Sequence, residues 1–149
     1  MICPERWLRA AAVLVLVVVG VPATLRAQRD ARVDDFLGVT RCESGKAVSV
    51  IRPDVSDSML LREIHAHEEV HRRQAAGFPS CEAFLASITT ARRIIDVELP
   101  AYCAQWRVAV AHGADSALTR REYAWRIAAQ SGAMENRLGV VQRFEHECR

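Results

Sequence analysis

Residues 57 to 77 have the sequence DSMLLREIHAHEEVHRRQAAG, and this stretch decides how the rest of the chain is interpreted. Asp57 or Ser58 is a suitable N-cap, because a side-chain oxygen there can accept hydrogen bonds from the first backbone amides, and Gly77 is a typical stop. We therefore predict a helix over residues 57 to 76. Apolar residues recur within it at helical spacing: Leu60, Leu61, Ile64 and Val70.

Three polar residues of this predicted helix satisfy the H-E-x-x-H spacing: His67, Glu68 and His71. Residues four positions apart lie about 40° apart around a helix, so one metal ion can contact both imidazoles. Glu68 follows the first histidine directly and can reach a metal-bound water without binding the metal itself. The spacing therefore predicts two metal ligands and one general base.

A catalytic zinc site usually has a third protein ligand, and the segment IIDVELPAY over residues 94 to 102 offers two acids. Asp96 and Glu98 would point about 160° apart on a helix, so only one of them can face the metal. The residues by themselves leave this choice open.

An H-E-x-x-H helix followed by a glutamate on a second helix resembles the gluzincins, a family of zinc peptidases. The resemblance covers residues 67 to about 105. The small size of the chain also resembles the minimal single-domain gluzincins, in architecture and not as a sequence match. It implies a zincin-like helical fold and one catalytic Zn²⁺ held by His67, His71 and Glu98. It also implies Glu68 as general base and acid in the hydrolysis of a protein or peptide substrate. The metzincins are excluded, because Gln74 and Gly77 stand where that class has glycine and histidine.

Tyr102 lies one turn beyond Glu98, so its hydroxyl is expected to face the same cleft. It is the first candidate to stabilise the oxyanion formed in hydrolysis, ahead of Tyr123 and His112. Many gluzincins have an aspartate where this chain has Tyr102, and that aspartate holds the first histidine. Pro100 is expected to interrupt the helix that carries these residues.

The N-terminus has the pattern of a signal peptide over residues 1 to 27, with basic residues, an apolar run and small residues near Ala27 or Ala23. The apolar run is short for a membrane span, so a membrane is a partner only if this segment is retained. We expect residues 28 to 149 to form a single metallopeptidase-like domain, periplasmic or secreted. The whole chain carries a formal charge of +2, and the predicted signal peptide contains three basic residues and one acid. The mature chain is therefore formally neutral, which excludes a typical nucleic-acid-binding protein.

The mature chain keeps an even set of cysteines, Cys42, Cys81, Cys103 and Cys148, which predicts two disulfides in an exported protein. Of the three possible pairings we prefer Cys81 with Cys103 and Cys42 with Cys148, because the first bond would tether the loop that carries Glu98. A zinc site made of cysteines is disfavoured, since no C-x-x-C spacing occurs.

The remaining elements follow from periodicity and turn residues, and they predict a mainly α (α+β) fold. A hairpin is expected from residues 36 to 42 and 46 to 52, turning at Glu43-Ser44-Gly45. Its strand Val48 to Ile51 is predicted to border the cleft and to pair with an extended substrate. Helices are expected over about 81 to 90, from the segment of Glu98 to 112, and over about 117 to 147.

These observations predict a zinc-dependent metallopeptidase. The alternative is an exported, disulfide-linked helical domain that binds zinc or a partner without turnover. The two hypotheses differ in one observable property, because an enzyme needs Glu68 for activity whereas a structural zinc site does not.

Overall fold

The computed structural model describes residues 37 to 149, in which five α-helices follow one two-stranded hairpin. This confirms the predicted mainly helical fold with an N-terminal hairpin. The predicted signal peptide, residues 1 to 27, lies outside the described residues. Within residues 37 to 149, no helix is both long enough and apolar enough to cross a membrane.

The hairpin consists of β1 (Gly38–Glu43) and β2 (Lys46–Ile51), which pair in antiparallel register from Gly38 opposite Ile51 to Glu43 opposite Lys46. Ser44 and Gly45 connect the strands, and both have positive φ, 52° and 78°. A two-residue turn with positive φ at both positions matches the twist of the flanking strands. The predicted hairpin is therefore confirmed, including the position of its turn.

Helix α1 (Ser58–Ala76) is the predicted motif helix. The Asp57 side chain accepts hydrogen bonds from the amides of Met59 and Leu60, and Gly77 ends the helix. The buried face of α1 carries the three motif residues His67, Glu68 and His71, together with Ile64 and Ala75. The periodicity of the sequence thus placed this helix and both of its ends correctly.

Helix α2 (Cys81–Ala86) begins at its N-cap Ser80 and is shorter than the predicted helix over residues 81 to 90. It ends early because Thr90 caps the next helix, α3 (Ala91–Ala111), by accepting from the amide of Arg93.

Helix α3 continues through Pro100, so the predicted interruption is wrong. Proline removes the amide that would bond the carbonyl of Asp96, four residues earlier. Pro100 itself is exposed, whereas its neighbours Leu99 and Ala101 are fully buried. Burial of these neighbours on both sides of the proline is the tertiary interaction that offsets the lost hydrogen bond.

The predicted single helix over residues 117 to 147 is also wrong, because the chain forms two helices there. These are α4 (Ser116–Gln130) and α5 (Arg137–Glu147), separated by a turn and a 3₁₀ turn at Met134–Asn136. The break lies at Ser131-Gly132, where Gly132 has φ of 70°, a conformation that glycine adopts without strain. Folding back lets the apolar faces of both helices cover α3.

The main core lies between α3, α4 and α5, where Leu99, Ile127 and Phe144 have no exposed surface. A smaller apolar cluster of Ala75, Phe84 and Val97 joins α1, α2 and α3. The most extensive helix packing is between α1 and α3. The motif helix and the helix that carries Glu98 are therefore held face to face.

The two disulfides join Cys42 to Cys81 and Cys103 to Cys148, so the preferred pairing was wrong. The chain folds back at Ser131-Gly132, so the C-terminal end of α5 lies against α3 and Cys148 reaches Cys103. Cys42 lies near the hairpin turn, where the amide of Cys81 also donates to the carbonyl of Gly45 at 3.1 Å. Two disulfides are compatible with an exported protein.

Candidate metal centre

The motif residues of α1 lie together and are buried: 9 % of His67, 4 % of Glu68 and 8 % of His71 remains exposed. The Nε2 atoms of His67 and His71 are 3.0 Å apart. This proximity follows from the four-residue spacing, which places both rings on one helix face.

Helix α3 adds Glu98 to this pair. Its carboxylate oxygens lie 3.5 Å from Nε2 of His67 and 3.6 Å from Nε2 of His71. Asp96 points away from the histidines, and its carboxylate instead accepts from Nη1 of Arg143 at 2.6 Å. Of the two acids considered, the structure therefore brings Glu98 and not Asp96 to the imidazoles.

The three donors could hold a metal ion, since their ligand atoms all lie within 4.8 Å of one another. Ligands of a tetrahedral ion with bonds of about 2.0–2.1 Å are about 3.3 Å apart, close to the separations seen here. Two imidazoles and one carboxylate are also the donor types of many catalytic metal sites. Both the geometry and the chemistry of the group therefore fit a divalent metal.

The electrostatics keep Glu98 in its anionic form. Burial by itself raises the pKa of this carboxyl, but its interactions with His67 and His71 outweigh burial and lower the pKa to about 2. Burial lowers the pKa of His71, whereas the hydrogen bond and the charge of Glu98 raise it, with a net rise. A negative ligand beside two imidazoles is therefore present across the physiological pH range.

Gln74 orients His71, and sequence reasoning missed this residue. Its side-chain oxygen is 3.0 Å from Nδ1 of His71, and its Nε2 donates to the carbonyl of Val97 on α3 at 2.9 Å. An acceptor at Nδ1 places the proton there and leaves the lone pair of Nε2 directed at the metal position. The spacing in the sequence could have indicated this contact, because Gln74 lies three residues after His71 on the same helix face.

His67 is held differently. Its Nδ1 is buried and has no hydrogen-bond partner among residues 37 to 149. The ring of Tyr102 packs edge-to-face against the imidazole, with centroids 4.5 Å apart. Tyr102 thus restrains the His67 ring by packing alone.

Glu68 is fixed by a hydrogen bond from the hairpin: Oγ1 of Thr40 donates to its carboxylate at 2.7 Å. The strand approaches closely because Gly38 has no side chain, and a Cβ there would lie 2.4 Å from Ile64 and 3.2 Å from Oε1 of Glu68. Thr40 was not singled out from the sequence, because nothing in its local pattern places β1 over α1.

Tyr102 is the one proposed oxyanion partner that lines the cleft. Burial and the charge of Glu98 raise its pKa to about 12, so the phenol stays protonated. Nε2 of Gln130 donates to the Tyr102 oxygen at 3.2 Å, which leaves the hydroxyl proton free to point elsewhere. Tyr123 instead donates to Glu63 at 2.8 Å, and His112 is exposed at the end of α3.

The cleft has a volume of about 510 Å³ and contains the whole group of His67, Glu68, His71 and Glu98. Its strand wall is formed by residues 37 to 40, at and just before the start of β1. The prediction that Val48 to Ile51 borders the cleft is wrong, because none of these residues lines the cleft, although β2 packs against α1. The strand that lines the cleft is β1, whose only strand partner among the described residues is β2.

Comparisons of the chain with protein-family models, with curated proteins and with solved structures find no match. The chemistry of the site is therefore what bears on function.

Proposed function

We propose that this protein is an exported zinc-dependent metallopeptidase of the gluzincin type. The observation that carries the proposal is the convergence of His67, His71 and Glu98 in one cleft, with Glu68 beside them. A buried general base next to three metal ligands serves hydrolysis, whereas a structural zinc site has no use for it. The substrate class is a protein or peptide.

When bound by His67, His71 and Glu98, Zn²⁺ supplies a Lewis acid and lowers the pKa of its water to about 7. Glu68 accepts a proton from the attacking water and later transfers it to the leaving amine. Tyr102, which its pKa of about 12 keeps neutral, donates a hydrogen bond from its hydroxyl to the oxyanion that forms at the scissile carbonyl. Gln74 keeps the His71 tautomer that directs Nε2 into the site.

The hairpin supports this assignment in two ways. Thr40 donates to one carboxylate oxygen of Glu68 and so restricts the orientation of the base. The unpaired edge of β1, where the backbone groups of Gly38 and Thr40 point away from β2, offers donors and acceptors along the cleft, and an extended peptide can add there as a further strand.

The proposal is tested by metal content and peptidase activity of residues 28 to 149, measured on the same preparations. We expect one zinc per chain in the wild type, loss of zinc in His67→Ala and Glu98→Ala, and retention in Glu68→Gln with loss of activity. His65→Ala and Asp96→Asn are matched controls, because His65 is exposed on the same helix and Asp96 bonds Arg143. Both controls should keep zinc.

Two results would contradict the assignment. Full peptidase activity in Glu68→Gln would exclude the proposed base. One zinc in the wild type that is lost in His67→Ala and Glu98→Ala, with no activity in any preparation, would favour the non-catalytic zinc-binding domain.

A further inference from the structure

A second cavity, of about 360 Å³, lies at the C-terminal end of α1, away from the candidate metal centre. It is lined by residues 45 to 47 of the hairpin, by α1 residues between Glu69 and Ala76, and by residues 78 to 81. Ala76 lies about 180° around the helix from His67, so the two sites use different faces of α1. We infer that this basic cavity binds a segment of a partner protein that carries acidic residues next to an apolar one. Such a site is independent of the proposed peptidase activity.

The charge of the basic cavity is unbalanced toward positive. Lys46, Arg72 and Arg73 line it, and Glu69 is the one acid among the described residues of the lining. The Glu69 carboxylate pairs with both arginines, at 3.3 Å from Arg72 and 3.0 Å from Arg73. One carboxylate cannot neutralise three cations, so the lining keeps a formal charge of +2. A concave surface of this kind attracts anionic groups.

Lys46 shows that this charge is more than a property of the helix end. Basic residues in the last turn of a helix interact favourably with its C-terminal carbonyls, which accounts for Arg73. Lys46 instead comes from β2, and its side chain has no ion-pair partner among residues 37 to 149. Glu43 is opposite Lys46 in the strand register but does not line the cavity. Two separate elements therefore bring cations to one cavity.

The rest of the lining is mostly apolar and decides between a small anion and a peptide. Ala47, Ala76, Phe78 and Pro79 contribute to it. Phe78 is only partly buried, although its ring packs against Phe84 with centroids 5.4 Å apart. A small inorganic anion would leave this apolar surface in water. An apolar side chain flanked by carboxylates covers the surface and pairs with the cations at the same time.

The walls of the basic cavity are joined to one another before any ligand binds. The disulfide between Cys42 and Cys81 links β1 to the first residue of α2. The amide of Cys81 donates to the carbonyl of Gly45 in the hairpin turn at 3.1 Å. On the α1 side, Ala75 is buried in the small apolar cluster with Phe84. A cavity fixed in this way loses little conformational entropy when it binds a ligand.

The first measurement selects binders from a random peptide library with the purified protein, in the presence of a chelator so that no peptide is cleaved. The library is first depleted on a Lys46→Ala/Arg72→Ala double variant, which removes peptides that bind elsewhere on the protein. We expect the remaining binders to be enriched in aspartate or glutamate next to an aliphatic or aromatic residue. No enrichment, or enrichment of acidic residues without an apolar neighbour, would overturn the inference.

The second measurement is the affinity of the most enriched peptide. It should fall about tenfold when the acidic residues of the peptide are replaced by their amides, a comparison that needs no protein variant. Lys46→Glu and Arg72→Glu should each weaken binding about tenfold, and added salt should weaken it further. Arg62→Glu is the matched control, because Arg62 is exposed on the same helix and lies outside the cavity. Equal effects of Arg72→Glu and Arg62→Glu, or displacement of the peptide by inorganic phosphate at the same concentration, would overturn the inference.

Discussion

Replacement of Gln74 by leucine tests whether this residue orients His71 in the candidate metal centre. Gln74 makes two hydrogen bonds with different purposes, one from His71 Nδ1 to its oxygen and one from its nitrogen to the carbonyl of Val97. Leucine has a similar size but can make neither bond. Because His71 is only 8 % exposed, water has little access to replace the lost acceptor.

The expected magnitudes follow from these two contacts. Loss of a hydrogen-bond partner behind a metal-bound histidine lowers metal affinity by about 10- to 100-fold, or about 1.4 to 2.8 kcal/mol. Loss of the bond to Val97 lowers the free energy of unfolding of the metal-free protein by about 1 kcal/mol. Gln74→Glu separates the effects, because a carboxylate still accepts from Nδ1 but cannot donate to the carbonyl. It should bind zinc nearly as tightly as wild type and lose stability.

The assay is competition for zinc against a chelator of known affinity, with urea denaturation of the metal-free protein measured in parallel. Gln142→Leu is the control, since Gln142 is exposed on α5 away from the cleft. If Gln74→Leu and Gln142→Leu bind zinc equally well, Gln74 does not orient His71 and the reasoning is refuted.

Three further predictions concern the hairpin, a disulfide and the tyrosines. Thr40→Val removes the hydrogen-bond donor to buried Glu68 and should lower the free energy of unfolding by about 1.5 to 3 kcal/mol in denaturant titrations. The zinc content should not change. Unaltered stability would contradict the role of this hydrogen bond. Replacing Cys103 and Cys148 with serine opens a loop of sequence separation 45 and should cost about 4 kcal/mol, measured the same way against the oxidised wild type. Both tyrosines of the chain have raised pKa values, with Tyr102 at about 12, so folded protein should show no tyrosinate absorbance at a pH of about 10. Because the tyrosines of the unfolded chain lose their protons at lower pH than those of the folded protein, the free energy of unfolding should fall as the pH rises from about 10 to 12. Tyrosinate absorbance from half of the tyrosines of the folded protein at about pH 10 would refute the burial argument.

Local signals in the sequence were sufficient for the first half of the described chain. The cap at Asp57, the stop at Gly77 and the turn at Ser44-Gly45 act within a few residues, so their physics is visible in a short window. The spacing of His67 and His71 belongs to the same class, because a helix of known pitch determines which side chains share a face.

Sequence reasoning failed where local rules competed with distant contacts. Pro100 has a helix-breaking tendency that burial of Leu99 and Ala101 overcomes. The break at Ser131-Gly132 was visible as a turn-forming dipeptide, but the apolar spacing on either side of it favoured one long helix. Each local rule was sound, and the outcome depended on which surfaces the helices had to cover.

By itself, the sequence determined the motif helix, the hairpin and the pair of histidines, because these depend on backbone geometry over a few residues. Only the tertiary structure decided that Glu98 rather than Asp96 meets the histidines, and that Cys103 bonds Cys148. It also revealed Gln74 and Thr40 as partners of the site residues. Such pairings depend on the packing of elements far apart in the chain, and periodicity within one element carries no information about which neighbour its face will meet.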